Sequence, residues 1–83
     1  MPEVTRFFGI VIKIFFRGEH NPPHFHAVYG EYNGLFSIED LRMIEGDLSA
    51  KAQKLVQEWA KTHQSELMDM WNSKTLRKLP PLD

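Results

Sequence analysis

The chain has 83 residues, a formal net charge of −1, no cysteine, and 42% hydrophobic residues that include two Trp, two Tyr and six Phe. A chain of this length makes one small domain and buries only about 60–65% of the surface its unfolded form exposes. The composition excludes a disordered chain, a disulfide-stapled scaffold and any thiolate chemistry. Near-zero charge gives no global attraction to nucleic acid. There is no basic-then-apolar leader pattern, and the apolar stretch over 7–16 is interrupted by Lys13 and too short to span a bilayer. The expectation is a soluble cytoplasmic domain over 1–83 that does not touch a membrane.

Taken in chain order, the first element is a strand over 8–16. Its even positions Phe8, Ile10, Ile12, Ile14 and Phe16 are all apolar, which predicts one fully buried face. The odd positions Phe7, Val11 and Phe15 alternate with Gly9, Lys13 and Arg17, a mixed face. Residues 18–23 turn the chain, because Pro22 and Pro23 have no N–H to give a central ladder. A second strand is predicted over 24–29, with Phe25, Ala27 and Tyr29 opposite in face to His24, His26 and Val28. Gly30 begins another turn, to which Asn33-Gly34 belongs unless it forms a bulge. Short strands follow over 35–38 and 41–44.

After Gly46 the period changes. Ser49 is the expected N-cap. Ala52, Leu55, Val56, Trp59, Ala60, His63, Leu67, Met70 and Trp71 then recur at helical spacing over about 49–72. A short second helix over 73–79 is an option before Pro80-Pro81 ends any helix. The acidic run between Glu31 and Asp47 and the basic run from Lys74 to Lys78 read as solvated surface. The predicted fold is α+β: three or four antiparallel strands over about 7–45, packed on one long C-terminal amphipathic helix.

That plan leaves a surplus. One helix covers one sheet face, yet the other face of the first strand carries Phe7, Val11 and Phe15, with Val28 of the second beside them. Scattered exposed apolar residues are ordinary. A contiguous set of them is a docking surface for a second copy or another protein.

The chemistry-bearing segment is His20-Asn21-Pro22-Pro23-His24-Phe25-His26. His24 and His26 stand two apart on a strand, so they share a face at about 6.6 Å along it. With His20 across the turn, His63 from the helix and a carboxylate such as Glu19, they make a candidate site for zinc, copper, nickel or ferrous iron. The same imidazoles, with Arg17 on a phosphate, make a candidate metal-free ribonuclease site. The simpler alternative is that each ring bonds orphan backbone groups at the proline turn, with His63 a boundary residue beside Trp59.

Three stretches together resemble a known family: Arg6-Phe7-Phe8-Gly9-Ile10-Val11-Ile12, the Asn21-Pro22-Pro23-His24-Phe25-His26-Ala27 block with Tyr29-Gly30, and Trp59, His63 and Leu67 at four-residue spacing. They resemble the domain of unknown function (DUF) 4160 family of short bacterial proteins. The resemblance implies a small stand-alone protein encoded beside another small domain, in gene pairs that look like toxin–antitoxin modules. It assigns no reaction and no cofactor. The expected function is therefore an interaction module whose partner is another protein or a second copy, with nucleic acid reached only through that partner. The alternative is a metal- or histidine-dependent hydrolase acting on RNA.

Overall fold

Phe8 and Gly9 both have positive φ, 50° and 81°, and this divides the first predicted strand in two. In a computed structural model, which describes residues 3–16 and 22–82, β1 (Glu3–Phe7) turns back on β2 (Ile10–Lys13) with Phe7 opposite Ile10. A two-residue loop with both φ values positive is the I′ pattern, whose twist matches that of the flanking strands. The reading of 8–16 as one strand is thus corrected, and Phe8, assigned to the buried face, is 60% exposed at the hairpin tip. Ile10, Ile12 and Ile14 are buried as expected.

The strand β3 (His24–Tyr29) pairs with β2 and, through the turn at Gly30, with β4 (Tyr32–Ser37). Asn33 and Gly34 lie inside β4, not in a turn. Gly34 is packed so tightly that a Cβ there would come within 2.9 Å of Met43 Sδ. The last strand, β5 (Met43–Gly46), has a bulge where Met43 and Glu45 face adjacent β4 residues. Five antiparallel strands in the order β1-β2-β3-β4-β5 replace the three or four expected. The hairpin at Phe8-Gly9 supplies the extra one.

The predicted helix over 49–72 is likewise two. Ser49 caps α1 (Ala50–Thr62), its hydroxyl accepting from Ala52 N–H at 3.1 Å. His63 leaves helical geometry at φ −114°, ψ 18°, and its N–H bonds the Ala60 carbonyl three residues back. The tightened turn redirects α2 (Gln64–Ser73). Gln64 Nε2 then donates to the carbonyls of Ile38 and Glu39, tying the break to the loop before β5. Lys74 takes the left-handed conformation that closes α2. The short second helix expected over 73–79 does not form, since α2 ends at Ser73. The chain leaves irregularly and returns to the sheet, where Leu79 is buried and donates to Val4 O on β1 at 3.1 Å.

One sheet face supplies Ile10, Ile12, Phe25, Ala27 and Phe36 to the core, and the helices supply Val56, Trp59, Ala60, Leu67 and Met70. Trp59 is the centre of this core. It is 1% exposed, lies 5.9 Å from the Phe7 ring and 6.2 Å from that of Phe25, and donates Nε1–H to Pro80 O at 2.8 Å.

Candidate interaction face and the histidine turn

Register aligns the other face of the sheet into two cross-strand rows. One runs Glu3, Lys13, His26, Leu35, Glu45, and the other Arg6, Val11, Val28, Asn33. Val11 and Val28 are directly opposed. Together with Leu35 they are half-buried, and none of the three belongs to the core or packs against it. Phe15 sets its ring edge to His26 at 4.8 Å and stays 38% exposed. Of the residues picked out as an interface, Val11 and Val28 thus stand opposite each other with Leu35 diagonal to Val28, and Phe15 lies beyond the Lys13–His26 row, against His26. Leu35 escaped the sequence reading because its strand was placed three residues late.

Polar groups frame this patch. Arg6 donates to both Glu3 carboxylate oxygens, at 3.0 and 2.7 Å. That hydrogen-bonded guanidinium, helped by its charge, holds the Glu3 carboxyl below its usual range, and Glu3 in turn raises Arg6. The pair is solvent-exposed, so it positions the rim without adding much stability.

The histidines separate into two environments. His24 is buried at the end of β3, and its Nδ1 donates to Pro22 O at 2.8 Å, since a carbonyl can only accept. Its ring lies 4.9 Å from Trp71 of α2, so the His24–Ser37 row is buried, whereas Val11, Val28 and Leu35 further along the face are half-buried. His26 follows on the same side, with 5.5 Å between the two ring centroids. His63 belongs elsewhere: its ring lies 5.1 Å from that of Trp59 and its Nδ1 donates to Glu66 at 2.7 Å. His20, Glu19 and Arg17 lie outside the described residues. Among the described residues no three His, Asp or Glu side chains come together as metal ligands, so His24, His26 and His63 do not form a set. The bond from His24 to Pro22 is the proline-turn role weighed for these rings above.

A concavity of about 410 Å³ lies at the hairpin end, lined by Phe8, Ile10, Tyr29, Lys51 and Leu55 among others. Sequence reading missed it because Phe8 was counted as core. No described helix is long and apolar enough to cross a membrane.

Comparison with known proteins returns one family. The model for the domain of unknown function DUF4160 matches residues 9–72, a span that begins at Gly9 of the hairpin turn and includes the histidine block and both helices but for the last residue of α2. No curated protein and no solved structure matches the chain.

Proposed function

The chain belongs to the DUF4160 family, and from that starting point we propose that it works as a protein-interaction module, one half of a bacterial pair of toxin–antitoxin type. The observation that carries the reading is the apolar set on the sheet face that does not feed the core. Val11 and Val28 are directly opposed, Leu35 is diagonal to Val28, and none of the three belongs to the core, while Phe15 lies further along, against His26. Charged and polar groups, Arg6, Lys13, Asn33 and Glu45, ring this centre. An apolar centre with a polar rim is the anatomy of a protein interface. The paired-gene part of the proposal comes from the family resemblance.

Co-expression with the product of the adjoining gene tests the proposal. The two products are expected to copurify, and Phe15→Glu or Val28→Glu to abolish this while leaving the melting temperature close to the parent's. Lys54→Glu, on the solvent side of α1, serves as the control. Copurification that survives both face variants, or that never occurs, counts against the module.

The alternative, a histidine-dependent hydrolase acting on RNA, draws on the approach of the His24 and His26 rings, 5.5 Å apart between centroids. A phosphodiester reaction needs one imidazole as base and one as acid, and that gives a bell-shaped pH profile. RNA cleavage lost in His26→Gln, with folding retained, is the result that favours it.

A further inference from the structure

The two edges of the sheet are not alike. On β1 the C-terminal segment covers the edge, Leu79 N–H bonding the Val4 carbonyl. On β5 nothing does. Beyond its ladder to β4, the backbone of Met43–Gly46 has no hydrogen-bond partner among the described residues, and Ile44 is 48% exposed. A bare edge is a template for another strand.

Charge says which strand fits. The segment reads Arg42-Met43-Ile44-Glu45-Gly46-Asp47, basic at its start and acidic at its end. Neither Arg42 nor Glu45 has an ion-pair partner among the described residues. Laid antiparallel on a copy of itself with Ile44 at the centre, the segment brings each Arg42 between Glu45 and Asp47 of the other chain. Parallel pairing sets like charges side by side. Charges and a bulge on an edge usually discourage association. Sorted by sign, these charges select one register instead.

From this edge and its charge pattern we infer that β5 pairs with β5 of a second copy across a two-fold axis normal to the sheet. The axis makes one continuous ten-stranded sheet, and both uncovered faces then look the same way, doubling the apolar platform. The contact is short, so the dimer is a weak one, at the small end of specific interfaces.

Sedimentation of the full chain over a concentration series tests the pairing. The parent is expected to pass from monomer to dimer. Arg42→Glu and Glu45→Lys should each weaken this by about tenfold or more, since two symmetry-related pairs turn from attraction to repulsion. An equimolar mixture of the two variants, or the double variant, should recover the dimer. Circular dichroism melting confirms that each variant is folded, as expected for changes at exposed side chains. A parent that stays monomeric throughout, or a dimer indifferent to both charge changes, overturns the inference. A dimer that dissociates with Phe15→Glu and not with Arg42→Glu also overturns it, and leaves the open-face proposal standing with a second copy as its partner.

Discussion

His24 shows how a residue chosen for its chemistry can be held by its surroundings. Its Nδ1–H goes to Pro22 O, a carbonyl in a segment where two prolines remove the donors that would otherwise order the turn. Its ring packs on Trp71, which itself lies beneath the Lys74 ammonium at 4.7 Å. His24→Phe keeps the ring and removes the donor, and is expected to cost about 1–2 kcal/mol through the lost bond to Pro22. Urea denaturation measures it, and a variant as stable as the parent would show that the bond is idle. Zinc is the complementary probe. Metal-bound imidazoles must be neutral, so any affinity for zinc would be greater at about pH 7.5 than in acid. The expected calorimetric result is no heat of binding at the higher pH. A clear heat there, absent from His24→Gln/His26→Gln, would support the metal site.

At the scale of elements, the β1–β2 hairpin uses a residue that its geometry disfavours. Gly9 suits its positive φ, and a Cβ there would come within 2.9 Å of Tyr29 Cε1. Phe8 does not suit its own, because a bulky L-residue with positive φ is strained. The loop prefers Asn or Gly there. Phe8→Asn is accordingly expected to raise stability by about 0.5–1 kcal/mol, less whatever the edge-on contact with Phe7 contributes. Thermal melting checks the sign. A drop of several degrees would mean that Phe8 packs against more than its exposure indicates. The two-helix arrangement has a similar local origin, since the break at His63 turns α2 so that Leu67, Met70 and Trp71 reach the core.

Across the whole molecule, the C-terminal segment acts as a strap. Leu79 joins β1 through Val4, and the carbonyl of Pro80 receives the Trp59 indole. Removing residues 79–83 takes away one buried leucine and two hydrogen bonds. The expected cost is about 3.5–5 kcal/mol, from roughly 1.5–3 for the side chain and about 1 for each bond. Trp59→Ala should cost about 3–5 kcal/mol, as large aromatic truncations do, which approaches the entire stability of a domain this small. Denaturant midpoints for both variants check these values. Near-parental stability on truncation would show that the strap does not hold the β1 edge.

Local chemistry wrote much of this structure into the chain. The alternation over 24–29 marks β3 to the residue, and Ser49 marks the start of α1, because strand period and cap preference depend on near neighbours alone. The apolar surplus at Val11, Phe15 and Val28 was legible for the same reason: alternation assigns faces before any partner is known. Three features were decided by tertiary structure. The Phe8–Gly9 turn interrupts an unbroken apolar alternation, and only pairing of Phe7 with Ile10 reveals it. The break at His63 depends on where the Ile38 and Glu39 carbonyls stand for Gln64 to reach. The separation of His63 from His24 and His26 depends on which rings each one meets, Trp59 for the first and Trp71 for His24. Spacing along a chain says which side chains share a face. Distances between faces are set only when strands and helices pack.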